Sequence, residues 1–272
     1  MKKLSIITIC YNEPNLEETC ESIVNQTWQD FEWIVVDGGS NQETLDIFEK
    51  YKNRIDKFIS EPDNGRYDAC NKGINLASSE FVNFLNAGDS YYSFNVLQNV
   101  FSQNFDNVDI IYGEQEEVFK NSSLNTITKC PDKITKEFFI YNNIHTPAMF
   151  IRKEQFIKHG LFSLEYEIAS DREKWIVFAE NYAKFKHINT IIAKFDKNGI
   201  SSDSKYKNQH EAEIYNIIQD HFTLEEIQHE GKKCKKLSFL EQLFSITNSS
   251  GKTYKIITFL GIHFKIRRHI NA

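Results

Sequence analysis

Four short runs rich in β-branched and aromatic residues, Leu4–Cys10, Phe31–Val36, Lys57–Ser60 and Phe81–Leu85, alternate with helical patterns in the first ninety residues. Apolar runs of this length fit strands buried on both faces, and their alternation with helices fits a parallel α/β sheet. After the first run, Asn15 stands as a helix cap with Glu18 three residues on, and Leu16, Cys20, Ile23 and Val24 repeat at helical spacing. Further helices are expected around Glu43–Tyr51 and over Tyr67–Ala77. Each strand ends in a polar cluster, and ligands of open parallel sheets sit beyond the carboxyl ends of the strands. Tyr11-Asn12, Asp37, Glu61–Arg66 and Asn86–Asp89 are therefore expected to converge on one crevice.

The rest is less regular. Strands are expected at Ile110–Gly113, Glu116–Phe119, Pro147–Ile151 and Lys186–Phe195, and helices over Arg152–His159, Asp171–Tyr182 and Lys205–His221. The 272 residues suit one large domain, alone or with a tail, and 11 Gly and 4 Pro leave little room for low-complexity linkers. Aromatics reach 14%, a fraction that core packing largely explains and that also suits a sugar-stacking or membrane-facing surface. A net charge of −6 argues against nucleic acid as a partner, although Lys and Arg outnumber acids from Gly231 onward. The five cysteines are odd in number and form no Cys-x-x-Cys pair, which argues against a zinc site or disulfide framework and for a reducing compartment. Lys2 and Lys3 precede an apolar stretch too short for a signal peptide, and no run reaches the roughly 20 residues of a bilayer span. A cytoplasmic protein is expected.

The stretches SIITICYNE, VNQTWQDFEWIVVDGGSNQETLDI and EPDNGRYDACNKGINLASSEFVNFLNAGDSYY together resemble the nucleotide-binding half of family 2 glycosyltransferases, closely over residues 4–92 and more loosely over 140–202. The resemblance implies an α/β fold of the GT-A type: a Rossmann-related, mostly parallel central sheet flanked by helices, here with a helical and basic C-terminal extension. It divides the chain into a nucleotide-sugar-binding half (1–100), an acceptor-binding half of the same domain (101–225) and the extension (226–272). It further implies an inverting hexosyl- or N-acetylhexosaminyltransferase that uses a nucleotide-diphospho-sugar, UDP-linked by preference. The implied acceptor is a glycan or a lipid-linked saccharide of surface polysaccharide, lipopolysaccharide or capsule synthesis.

By that resemblance Thr8, Tyr11 and Glu13 cradle base and ribose, and Asp37 holds the base. An Asp at a strand end can accept a pyrimidine N–H, but an Asp before Gly38-Gly39 and a Ser40 helix cap is also an ordinary turn. Asp63, Asn64, Gly65 and Arg66 read as a turn; the resemblance lays them over the nucleotide, with Asp68 and Asn71 on the helix that follows. Arg66 and Lys72 are diphosphate candidates, Lys72 less so than as part of a solvated helix face. Asn86, Ala87, Gly88 and Asp89 occupy the place of the family's Asp-x-Asp element. Only Asp89 keeps a carboxylate there, so Mn2+ or Mg2+ would be held by Asp89 with diphosphate and water. Asp171, in IASDREKW, matches the element that supplies the general base, although an acid at a helix start is also common. His145 lies where similar chains border the acceptor, and Lys197–Ser201 is either a closing loop or a plain surface loop.

The stretch KTYKIITFLGIHFKIRRHINA interleaves basic and apolar residues, which fits a peripheral contact with the inner membrane face, a strand or a homodimer contact. Rival readings are a nucleotidyltransferase, whose Gly-rich basic loop is missing after the first strand, and a non-catalytic sugar- or partner-binding protein. A dinucleotide dehydrogenase lacks its Gly-x-Gly-x-x-Gly.

Overall fold

Strands β1 (Leu4–Cys10) and β2 (Phe31–Asp37) are buried along their whole length, as expected of β-branched runs covered on both faces. The computed structural model describes residues 2–119, 125–197, 204–234, 244–248, 254–259 and 262–267. Between and after these strands come α1 (Leu16–Val24), α2 (Gln42–Tyr51), β3 (Lys57–Ser60), α3 (Arg66–Leu76) and β4 (Phe81–Phe84), in the alternation the sequence implies. Two caps differ from expectation. The Asn15 side chain caps nothing; instead its backbone N–H donates to Glu13 Oε1 at 2.9 Å. Asn41, not Ser40, caps α2 by accepting from Thr44 N–H, while Ser40 Oγ accepts from Asn12 N–H.

The chain continues through β5 (Ser90–Tyr91), α4 (Val96–Phe101), β6 (Ile110–Val118), β7 (Thr126–Thr128), α5 (Phe138–Tyr141) and β8 (Met149–Arg152). Helices α6 (Lys153–His159) and α7 (Ser170–Glu180), strand β9 (Phe185–Asp196) and helix α8 (Lys207–His221) follow. The sheet runs β3-β2-β1-β4-β8-β6-β9-β5, with β7 on β6. The strand pairings set β1, β2, β3, β4, β6 and β9 in one direction and β5, β7 and β8 in the other, so the sheet is mostly parallel. The two strands expected at Ile110–Gly113 and Glu116–Phe119 are one strand, β6. Gly113 looks like a strand end in sequence, but it accommodates a bulge in β9: a Cβ there would lie 2.5 Å from Thr190 O.

Chain packing defines two compact units, Met1–Lys136 with Asn143–Ile214, and Glu137–Asn142 with Tyr215–Ala272. The first holds the nine-stranded sheet. One face of its core carries Leu4, Ile6, Trp33 and Val35; an aromatic cluster of Phe84, Phe156, Phe162, Trp175 and Phe178 packs with ring centroids 5.3–6.1 Å apart. The second unit contains α9 (Leu224–Cys234) and three antiparallel strands, β10 (Phe244–Asn248), β11 (Tyr254–Phe259) and β12 (Ile262–Arg267). Among the described residues, the extension is thus helical only at its start. Ile262, Phe264 and Ile266 alternate with His263, Lys265 and Arg267, a period of two that favours strand over helix. Residues 198–201 of the expected closing loop lie outside the described residues. Among those described, no helix is long and apolar enough to cross a membrane, and Cys10, Cys20, Cys70 and Cys130 are free thiols.

A buried carboxylate ties three elements of the first unit together. Glu32, 5% exposed on β2, accepts from Ser5 Oγ, from the backbone N–H and hydroxyl of Ser78 and from Ser79 Oγ, and pairs with Lys57 Nζ at 3.0 Å. Burial pushes its pKa up, but the hydrogen bonds from Ser5, Ser78 and Lys57 outweigh it and bring the carboxyl from 4.5 down to about 2. Glu32→Gln is expected to cost roughly 2 kcal/mol at pH 7. Because the folded pKa is depressed, this contribution is present above pH 4.5 and fades as the pH falls toward 2. Urea unfolding of both proteins across that range checks it.

Candidate active site

The carboxyl ends of β1, β2 and β4 meet as expected, and the residues there fall into two groups. Around the base position, Asp37 is fully buried at the end of β2. Its Oδ2 accepts from Gly39 N–H at 3.2 Å, Ser40 N–H at 3.0 Å and Ser60 Oγ at 2.6 Å. Its Oδ1 is buried with no partner among the described residues. One oxygen of this carboxylate is thus saturated and the other is an unmet buried acceptor. Tyr11 stands beside it 68% exposed, an aromatic face open to a planar group. Asp63 closes over the turn: a Cβ at Gly38 would lie 2.7 Å from Asp63 Oδ2, so a larger residue there would displace the Asp63 carboxylate. Asp63 Oδ1 accepts from Gly65 N–H, and Asp68 Oδ2 accepts from Asn64 N–H. Gly65 begins α3 with φ of 104°, a conformation that favours glycine.

Two expected contacts, Thr8 and Asn71, and the less favoured Lys72 are engaged within the protein. Thr8 is fully buried and its hydroxyl accepts from the Trp33 indole at 3.0 Å. Both ends of the Asn71 amide bond the backbone of Phe162, at 2.9 and 3.0 Å. Lys72 pairs with Glu61 at 2.9 Å and lies 3.5 Å from Asp68. Asp68 therefore braces the 63–65 turn and the start of α3.

The second group surrounds the turn after β4. Asp89 is 5% exposed, and its Oδ1 accepts from Asp196 N–H at 3.0 Å, so the end of β9 is pinned to this turn. Thr19 clasps the turn from α1, donating to Asp89 O at 2.7 Å and accepting from Gly88 N–H. Gly88 has φ of 98°, and a Cβ on it would lie 3.3 Å from the Glu13 carboxyl carbon. Asn86 Oδ1 is buried without a partner among the described residues. Ala87 continues the sheet by donating its N–H to Ile9 O. Burial raises the Asp89 pKa to about 7; Asp196 and Glu13 add to the rise, while Arg66 and the Asp196 N–H oppose it.

Across the crevice, Asp171 opens α7 and is 8% exposed. Its Oδ1 accepts from Arg172 N–H at 2.8 Å and lies 3.1 Å from Tyr67 Oη; Oδ2 lies 3.4 Å from Asn143 Nδ2. Tyr67 Oη also lies 2.7 Å from Ile168 O, so its single proton serves one acceptor at a time. Burial, then Asp171, hold the Tyr67 phenol well above its usual range, so it remains a donor. Arg66 feels both Asp171 and Asp89; burial lowers its pKa, but the charges around it keep it raised. His145 stacks on Phe195 with centroids 4.2 Å apart, and burial lowers its pKa to about 4, which leaves it neutral at pH 7.

Among the described residues no three His, Cys, Asp or Glu side chains form a metal cage. The donor set still fits a hard cation that keeps other oxygen ligands: Asp89 is a buried carboxylate, raised in pKa, with Glu13 and Asp196 close enough to add to that rise. Asp196, Tyr67 and Asn143 were not anticipated as site residues. Asp196 carries a usable signal, a strand-end Asp one residue beyond the expected strand Lys186–Phe195.

The family model described as Glycosyl transferase family 2 matches residues 5–162. The chain belongs to glycosyl transferase family 2. A PGL/p-HBAD biosynthesis glycosyltransferase of Mycobacterium tuberculosis is 31% identical over 202 residues, 72% of this chain and 77% of that protein. Among solved structures, Staphylococcus aureus TarS 1-349 in complex with UDP-GlcNAc aligns with a TM-score of 0.63 at 18% identity, covering 85% of this chain and 70% of that one. The mannosyltransferase PcManGT from Pyrobaculum calidifontis, in complex with GDP-Man and Mn2+, aligns at 0.62 and 15% identity, covering 82% and 65%. These structures show the GT-A fold of this family 2 glycosyltransferase.

The raised Asp89 pKa gives a stability test. A carboxyl whose folded pKa of about 7 exceeds the ordinary 3.8 stabilises the fold below pH 3.8, and that contribution is lost as pH rises through 7. Asp89→Asn is neutral at every pH. The ligand-free variant is therefore expected to match wild type near pH 4 and to gain up to about 4 kcal/mol by pH 8, a Tm rise of roughly ten degrees. Thermal unfolding across that range measures it.

Proposed function

We propose that this glycosyltransferase moves a sugar, with inversion, from a UDP-linked donor to a hydroxyl of a glycan or lipid-linked saccharide. The observation that carries the reading is the Arg66 guanidinium lying 5.1 Å over the ring of Tyr67, whose Oη lies 3.1 Å from Asp171, with Asp89 among the charges that act on it. A transferase needs its donor's charged diphosphate and its acceptor's base in one place, and Arg66, Asp89 and Asp171 supply both ends of that arrangement. Asp37 Oδ1 would take the imide N–H of the base, with Tyr11 against its ring and Asp63 over the turn. UDP is preferred because a pyrimidine offers one such donor to the one bare oxygen, and TarS has been solved with UDP and UDP-GlcNAc. The first turn of α3, beginning at Gly65, and Arg66 would face the diphosphate.

Asp89 would hold Mn2+ or Mg2+ together with the donor's own oxygens, and the metal supplies charge neutralisation to the departing nucleotide. PcManGT was solved with Mn2+. Asp171 acts as general base, taking the acceptor hydroxyl proton as that oxygen attacks the anomeric carbon. Nucleotide diphosphate is a good leaving group, so one protein carboxylate suffices, and this favours inversion. Asn143 Oδ1, buried and without a described partner, is available to orient the acceptor beside Asp171. The basic, apolar stretch Lys252–Ala272 supports a peripheral contact with an anionic membrane, where lipid-linked acceptors are presented.

Asp171→Asn should lower the rate of UDP release from the accepted UDP-sugar by about 10²- to 10⁴-fold while leaving UDP affinity within about twofold. Asp37→Ala should weaken UDP by about tenfold or more with little change in kcat. A normal rate in Asp171→Asn would remove it from the role of base. Equal loss of UDP binding in both variants would make Asp171 a structural residue.

A further inference from the structure

Strand β9 departs from regular pairing opposite Gly113. Tyr112 pairs with His187 and Glu114 with Ile191, so two steps along β6 face four along β9, which bulges there. Beside this bulge lies a cleft of about 480 Å³, within the range of small-ligand pockets. Its walls include Tyr92, just after β5, Ile127 and Lys129 from β7 and its exit, and Asn189 and Thr190 of the bulge. Glu114 also lines it. It is 5% exposed, its Oε1 lies 2.9 Å from His187 Nε2, and its Oε2 is buried with no partner among the described residues.

The chemistry of these walls selects its ligand. A bare buried carboxylate oxygen calls for a donor and repels an anion, so phosphates and nucleotides fit poorly. Asn189 and Thr190 offer both donors and acceptors, and Lys129 offers donors. Tyr92 and Ile127, 39% and 46% exposed, present apolar surface beside them. Hydroxyls that donate and accept, set around an apolar C–H face, are the pattern of a neutral pyranose. We propose that this cleft binds a glycosyl unit of the acceptor, away from the one that reacts. The assignment of that unit to the acceptor rests on the transferase reading above. Five residues of β9 separate Ile191 from Asp196, about 16 Å at roughly 3.3 Å per residue. The cleft therefore serves a part of the chain beyond the sugar at the crevice, and it gives the enzyme a means to select acceptors by more than their terminal residue.

The test is saturation-transfer difference NMR of the full chain with the methyl glycosides of glucose, mannose, N-acetylglucosamine and rhamnose, each with and without saturating UDP and Mn2+. UDP binding is followed in the same samples. At least one glycoside is expected to bind, to remain bound in the presence of UDP, and to bind about tenfold or more weakly in Glu114→Gln and Tyr92→Ala. UDP binding should be unchanged in both variants. Tyr92→Ala and Lys129→Ala, at positions with exposed side chains, decide the matter where Glu114→Gln fails to fold. UDP binding with no glycoside bound overturns the cleft and leaves the transferase reading standing. Displacement of the glycoside by UDP, or indifference to all three substitutions, places the sugar elsewhere and likewise overturns it. Failure of UDP itself to bind removes the transferase reading first, and the acceptor assignment with it.

Discussion

A negative charge held out of water organises this glycosyltransferase. Asp89 is buried in a turn after β4, with Glu13 and Asp196 raising its pKa and Arg66 lowering it. Desolvating a carboxylate beside like charges is unfavourable, and the fold retains it through Thr19, the Asp196 N–H and the close approach that Gly88 allows. Those same contacts bring three distant stretches to one point: the loop after β1, the turn after β4 and the end of β9. The arrangement stores electrostatic strain, at a cost to stability, that a cationic ligand would relieve.

The rest of the crevice is built on a rigid frame. Four parallel strands, β3, β2, β1 and β4, end at the same edge because each crossover returns the chain to the opposite edge before the next strand begins. Asp37 and Asp89 are thus placed by the ends of strands and Asp171 by the start of a helix, while Tyr67 ties α3 to α7 through its contact with Asp171. Placing charged groups on frame elements limits the reorganisation that transfer would require.

The sequence made the N-terminal sheet readable because its strands are β-branched and aromatic runs between recognisable helices. It concealed β5 and β7, which at two and three residues carry no periodicity, and it split β6 at Gly113, whose missing Cβ answers to the β9 bulge and not to a strand end. The candidate site was legible in its order along the chain but less so in its facing. Thr8 shares the face of Ile6 and Cys10 and meets Trp33, and Asn71 turns to Phe162. Spacing along a motif does not say which side of a strand or helix looks into a crevice. Glu114 was invisible for a related reason: its bare oxygen and the cleft beside it arise only when β6 meets the bulged β9.

The central claim is that Asp89 turns a buried negative charge into metal-dependent donor binding. Calorimetric titration of UDP into wild type and Asp89→Asn, each with and without Mn2+, tests it most directly. The account predicts that Mn2+ tightens UDP binding to wild type by about tenfold or more, and that Asp89→Asn loses this gain while keeping its metal-free affinity. An Asp89→Asn protein that retains the full Mn2+ effect would contradict it.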